Sequence, residues 1–248
     1  MPSFNIVKEH KPKETFRVKS VIGTYDLQSN NIKEEFKGHI NIENKQWQIG
    51  LIVGKSGTGK TTIAKQLFTD VIVESYDYLS DSVLDDMPKD KSVKDICKAF
   101  NSVGFSSPPS WLKPYHVLSN GEKMRCDLAR SILSNNKIFA FDEFTSVVDR
   151  NVAKIGSLAM QKAIRKTDKK FIAITCHHDV EDWLMPDWVF NTDTMTFHYY
   201  NEEQKKNKPK INVQIYETKQ KKYYWAMFSK YHYLNHSHNN AARVFILT

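Results

Sequence analysis

The nine residues GKSGTGKTT, Gly54 to Thr62, restrict this chain more than any other stretch. They fit G-x-x-x-x-G-K-[ST] and stand between a short apolar run, WQIGLIV, and a segment with helical spacing, GKTTIAKQLF. Gly54, Gly57 and Gly59 let the backbone curl until successive N–H groups point inward, and Lys55, Ser56 and Thr58 complete the loop. The helix that follows aims its positive end at the same point, so the loop is a cradle for phosphate oxygens. Lys60 supplies a mobile charge for β- and γ-phosphates. Thr61 offers a hydroxyl to Mg²⁺, and Thr62 a donor to the α-phosphate.

Such a loop needs a strand and a helix at its two ends, and the rest of the chain supplies more of both. HINI and WQIGLIV read as strands, and Ile63, Ala64, Leu67 and Phe68 share one face of the next helix. VIVES reads as a strand, KSVKDICKAFNSVGF as a helix ended by Gly104, and SSPPSWLKP as a proline-rich loop. Ser119 or Asn120 opens a helix with Glu122 in its first turn. The strand KIFAFDE, a helix near 151–166, the strand KFIAIT and a closing pair, DWVFN and TMTFHYY, follow. This alternation predicts an α/β domain with a mainly parallel central sheet. Asp142 and Glu143 emerge at the C-terminal end of their strand, the edge at which such sheets bind ligands. Asp142 is placed to hold Mg²⁺ through water, and Glu143 to act as general base toward an attacking water.

Composition excludes several classes. Hydrophobic residues make up 40% of the 248, as in a globular protein, and no apolar run approaches the ~18 residues of a membrane span. The first residues lack the apolar core of a secretory signal. Cys97, Cys126 and Cys176 are scattered, with no CxxC pair for a zinc site. A cytoplasmic protein without membrane insertion is expected. The net charge is +8, and from Asn201 onward eight lysines and one arginine face three glutamates. That basic tail suits nucleic acid or an acidic partner, or serves as a solvated linker. NEEQKKNKPK reads as a linker over 201–210, closing a nucleotide-binding domain over 1–200 and leading to an aromatic, basic extension over 211–248.

Further motifs carry a resemblance. LSNGEKMR resembles the LSGGQ signature of the ATP-binding cassette (ABC) ATPases and stands a few residues before the Asp-Glu strand, as in that family. TSVVDR resembles the family's D-loop, with Asp149, and CHHDVED its switch-histidine region, with His178 in the family's His-Asp pair and His177 the alternative. The resemblance spans roughly residues 15–200. It implies a P-loop NTPase of ABC type, with an N-terminal antiparallel β part and a reduced helical subdomain. It further implies a soluble ATPase whose head-to-tail homodimer sandwiches two ATP molecules with Mg²⁺. Each site would combine the phosphate loop, Asp142, Glu143 and His178 of one subunit with Ser119 and Gly121 of the other. Asn120 replaces the first signature glycine, Glu122 the glutamine, and Phe144 a usual proline. No glutamine stands where the Q-loop is expected, and only 57 residues separate Lys60 from Leu118. Transporter subunits usually have more there, so a transporter's nucleotide-binding subunit and a nucleic-acid-associated ATPase are the alternatives. Tyr25 and Phe36 are the candidates for stacking on adenine.

The run YYWAMFSKYHYLNHSHNNAARVFIL resembles the opening of a GNAT-type N-acetyltransferase module. The resemblance covers about 35 residues and implies an acetyltransferase-like partner or a missing C-terminal half. His232, His236 and His238 lack the remaining ligand of a metal site. The aromatics Tyr223, Tyr224, Trp225, Phe228, Tyr231 and Tyr233 read as an apolar helix face or as a platform for nucleobases.

Overall fold

A computed structural model describes residues 3–27, 32–43, 45–200, 214–229 and 243–247. The chain divides into two compact units, Met1–Lys205 and Lys206–Thr248.

The first unit runs β1 (Ser3–His10), α1 (Phe16–Thr24), β2 (Ile32–His39), β3 (Ile49–Val53), α2 (Lys60–Leu67), β4 (Ile72–Val73), α3 (Val93–Ser102) and α4 (Pro108–Trp111). It continues with α5 (Asn120–Leu133), β5 (Ile138–Phe141), α6 (Arg150–Ile164), β6 (Lys170–Thr175), α7 (Val180–Leu184), β7 (Trp188–Asn191) and β8 (Thr196–Tyr199). Six strands form one sheet in the order β4-β5-β6-β3-β7-β8, parallel except for the antiparallel edge strand β8. β1 and β2 form a separate antiparallel hairpin. All five residues of β3 are buried, because a strand with helices or a hairpin on both faces has no solvent side.

Alternation along the strands divides the core into two layers. Ile49, Leu51, Val53, Phe139, Phe171 and Ala173 face one layer, packed with α3, α5 and α6. Ile52, Ala140, Ile172, Ile174 and Phe190 face the other, packed with α2 and with Phe4 and Phe36 of the hairpin. Gly50 lies beneath the Trp188 ring; a Cβ there would stand 2.1 Å from Trp188 Cζ2. The narrow strand position is what admits the indole.

Several elements differ from the sequence expectation. HINI is not a strand beyond its first residue; the hairpin strand precedes it at Ile32–His39. VIVES is a strand over only Ile72–Val73, after a 3-10 turn. SSPPSWLKP contains the short helix α4, with proline in its first turn, where its missing N–H costs no bond. Helix α1 gave no periodic signal because it buries none of its residues; Thr15 caps it by accepting from the Val18 N–H. α3 begins at a Ser92 cap and ends before Gly104, whose φ of +80° suits glycine. Val83, Met87, Phe100, Phe105 and Trp111 from this region join the same layer as α5 and α6.

In the second unit β9 (Ile215–Glu217) pairs antiparallel with β10 (Phe245–Leu247), and α8 (Lys221–Phe228) lies between them in the chain. Arg243 donates to both Glu217 carboxylate oxygens, at 3.0 and 2.7 Å. Tyr224, Trp225 and Phe228 line a cavity of about 260 Å³ with Val244, Phe245 and Ile246. His232, His236, His238, Tyr231 and Tyr233 lie outside the described residues. Among the described residues no helix is long and apolar enough to cross a membrane.

Candidate functional site

The loop Gly54–Gly59 leaves the C-terminal end of β3 and enters α2 at Lys60. Gly57 and Gly59 both have φ of +85°, a left-handed conformation that a Cβ would strain. Gly59 also has no room: a Cβ there would stand 2.5 Å from Phe36 Cε1. Phe36 is therefore buried beneath the loop as a support, which corrects its candidacy as an adenine platform. Tyr25 closes α1 and is exposed. Lys60 is 7% exposed, and its ammonium donates to the Lys55 carbonyl at 2.7 Å, across the mouth of the loop. Thr61 is exposed and Thr62 half-buried. The Thr58 hydroxyl bonds the Lys55 carbonyl and the Thr192 hydroxyl, at 2.8 and 2.6 Å.

Asp142 and Glu143 follow β5, next but one to β3 in the sheet. Glu143 (φ +52°) and Thr145 (φ +67°) are both left-handed without being glycine, a local strain. Phe144 between them opposes that strain. Its N–H donates to the Ile174 carbonyl at 2.8 Å, and its buried ring meets Phe171 at 5.3 Å. The departure from proline thus has a structural consequence: the aromatic nails this turn into the core. Glu143 points outward and accepts from the Ser146 hydroxyl at 2.6 Å.

His178 stands beyond the end of β6, and its Nε2 lies 3.3 Å from Asp193 Oδ2. The same Asp193 accepts from the Lys55 N–H at 2.8 Å through Oδ1. One carboxylate therefore ties the phosphate loop to the histidine segment. Sequence reasoning missed it; the available signal was an acid just past the C-terminal end of a sheet strand. His177 is half-buried, and its N–H bonds the Thr175 hydroxyl at 3.2 Å. Arg150 pairs with Asp179, by Nε at 3.1 Å, and lies over the Trp183 ring, linking the TSVVDR segment to CHHDVED.

Ser119 caps α5 in a full capping box with Glu122. The Ser119 hydroxyl donates to Glu122 Oε2 at 2.8 Å, and the Ser110 hydroxyl donates to Oε1 at 2.7 Å. The glutamate that replaces the signature glutamine thus holds the turn from within. Gly121 lies against α6; a Cβ there would stand 3.0 Å from Val152 Cγ1. Asp149 caps α6 by accepting from the Asn151 and Val152 N–H groups, at 2.9 and 3.1 Å. Among the described residues no hydrogen bond or ion pair joins residues 119–121 to residues 54–62. The structure brings Lys60, the β5 acids and His178 to one edge of the sheet, at the C-terminal ends of β3, β5 and β6.

A cavity of about 310 Å³ adjoins Asp142 and Glu143, lined on its other sides by Glu74 and Tyr76 and by Asn120, Lys123 and Asp127 of α5. Glu74 and Tyr76 belong to the stretch where the Q-loop is expected. Asp127 accepts from the Tyr78 and Tyr115 hydroxyls, at 2.8 and 2.7 Å, and these two rings stack at 3.9 Å. Burial holds its carboxyl above the ordinary carboxylate range, against the pull of the two hydroxyls and Arg130. The folded state therefore binds this proton more tightly than the unfolded chain. Its contribution to stability falls as pH rises from about 4 through the raised folded value. Asp127→Asn retains an acceptor without a charge to desolvate. It is expected to flatten that fall, so that it stabilises the chain more at pH 8 than at pH 4. Urea midpoints at both pH values check this; an equal change at both would refute it.

No protein-family model matches the sequence, and no curated protein matches it. Solved structures do. One is the dimeric structure of MJ0796, described as a bacterial ABC transporter cassette; it is 14% identical, with 76% of this chain and 92% of that chain covered and a TM-score of 0.52. The chain has the fold of an ATP-binding cassette. The same cassette in a post-hydrolysis state bound to ADP and Pi gives the same identity, coverage and TM-score. CbiO1 from Clostridium perfringens, part of the transporter complex CbiONQ, is 20% identical over 64% of this chain and 76% of its own, with a TM-score of 0.49. The cassette fold here is the α/β P-loop NTPase type expected from the motifs, with a mostly parallel sheet and an antiparallel hairpin. The cassette likeness gives no support to an acetyltransferase module or a nucleic-acid partner.

Proposed function

We propose that this chain binds MgATP in the Gly54–Thr62 loop and hydrolyses it between two copies arranged head to tail. The observation that carries the reading is the buried Lys60 side chain, whose ammonium lies on the loop's own Lys55 carbonyl, in a loop whose left-handed glycines suit a phosphate cradle. A phosphate oxygen is a stronger acceptor for that ammonium than a carbonyl. Mg²⁺ fits the donors present, the Thr61 hydroxyl and Asp142, because this ion keeps several waters and needs few protein oxygens. When bound it would supply neutralisation of charge on the phosphates.

Glu143 would orient and deprotonate the attacking water, with Ser146 holding the carboxylate in place. His178 would leave Asp193 to contact the γ-phosphate. Ser119 and Gly121 make no hydrogen bond to their own loop, and a second copy would present its own pair to the nucleotide. The α5 N-terminus, already organised by Glu122, would then face the partner's nucleotide with its positive end. Asp149 would stand beside that junction. The short segment between α2 and α5, packed into the common core, favours an ATPase that acts without a membrane partner.

Lys60→Ala tests the reading. It is expected to weaken MgATP binding at least ~30-fold, measured by calorimetry, without loss of the fold. Undiminished binding would sink it. Sedimentation with and without MgATP tests the dimer; a chain that stays monomeric when saturated would refute that part.

A further inference from the structure

Side chains alternate along a strand, so Phe4, Ile6 and Lys8 share one face of β1. Phe4 and Ile6 pack in the layer that also holds Phe36, Ile63 and Ala64, and the Phe4 ring meets Phe190 edge-on at 5.7 Å. Phe36, on the paired strand β2, lies directly against Gly59. The hairpin is thereby fixed over the start of α2, and the next inward position after two apolar residues is a lysine. Its ammonium donates to the Thr62 hydroxyl at 2.5 Å, across 54 residues of sequence.

We propose that Lys8 is a second cation of the nucleotide site, binding the α-phosphate of a nucleoside di- or triphosphate beside Thr62. The inference rests on the phosphate-loop reading given above. Lys60 approaches from within the loop, on the side of the β- and γ-phosphates; Lys8 approaches from the hairpin, at the second residue past that lysine. Its bond to Thr62 occupies a lone pair of the hydroxyl and leaves the hydroxyl proton free to donate outward. Lysine and threonine thus present a charge and a directed donor to the same oxygen.

The placement has a functional consequence. The α-phosphate is the same before and after loss of the γ-phosphate, so Lys8 stabilises ATP and ADP equally. It contributes uniform binding, whereas Lys60 and His178 address the phosphates that change.

Calorimetric titration of the full chain with MgATP and with MgADP tests this, in the Glu143→Gln background so that ATP survives the measurement. Lys8→Met is expected to weaken both nucleotides by the same factor, ~10-fold at low salt, with the difference shrinking as salt rises. Lys8→Arg should restore most of the affinity. Parental affinity of Lys8→Met for both nucleotides, or a loss confined to ATP, would overturn the proposal. Lys60→Ala measured in parallel separates the two readings. Undiminished binding there sinks the phosphate loop itself, while a loss there with Lys8→Met intact sinks only the role of Lys8. Thermal unfolding without nucleotide checks that Lys8→Met folds, as expected for an exposed position.

Discussion

Glu143→Gln is expected to lower ATP turnover by about 10²- to 10⁴-fold, the range lost with a general base, while ATP-bound dimers accumulate. The turn that carries Glu143 is built independently of its charge. Asp142 Oδ1 accepts the Glu143 N–H at 2.9 Å, the Phe144 N–H reaches Ile174, and the Phe144 ring fills the core against Phe171. Glutamine has the same length and an oxygen that still accepts from Ser146, so the geometry survives and only the base is lost. Binding of MgATP should survive too, because the Lys60 cradle is untouched. The measurements are phosphate release and the mass of the ATP-saturated species. Unchanged turnover would remove Glu143 from its assigned role. A Ser146→Ala control should cost far less, because it frees the carboxylate without removing it.

Those parts of the site were legible in the sequence where chemistry and local structure coincide. A glycine turn between an apolar strand and a helix fixes the loop, and an acid pair at the end of KIFAF fixes the other side, since both signals are contained within some ten residues. The sheet was legible for the same reason, because β3, β5, β6 and β7 are short apolar runs. What stayed hidden depends on distant partners. Asp193 meets Lys55 across 138 residues, and Lys8 meets Thr62 across 54. No spacing rule connects such pairs. Helix α1 stayed hidden because a helix that buries nothing leaves no periodicity. Phe36 stood beside Tyr25 as a candidate stacking platform because an aromatic looks the same in sequence whether it lies under a glycine or above a base.

Asp187→Ala is expected to destabilise the first unit by about 3 kcal/mol, a large share of the roughly 5–15 kcal/mol that holds a domain together. The residue is 2% exposed and stands just before β7. Its Oδ2 accepts from the Gln48 and Ile49 N–H groups, at 2.7 and 2.9 Å, and from Arg165 at 2.7 Å. Arg165 closes α6 and also donates to the Met185 carbonyl at 3.1 Å. One carboxylate therefore gathers the start of the central strand, the end of a helix and the entry to β7. Alanine leaves two backbone donors without this acceptor and a partly buried guanidinium without its counter-charge; the partial exposure of Arg165 is why the lower end of the range is expected. Asp187→Asn retains an acceptor and should cost about 1–2 kcal/mol less. Urea unfolding measures both, and an alanine variant within about 0.5 kcal/mol of the parent would refute the junction. The location makes a second demand. Asp187 grips the N-terminal end of β3, whereas the phosphate loop leaves its C-terminal end, roughly 16 Å away at the rise of a strand. Under conditions where the variant is folded, its affinity for MgATP should match the parent. A variant that lost affinity and stability together would mean that the two ends of this strand are not independent, and that the nucleotide edge draws its order from the opposite side of the sheet.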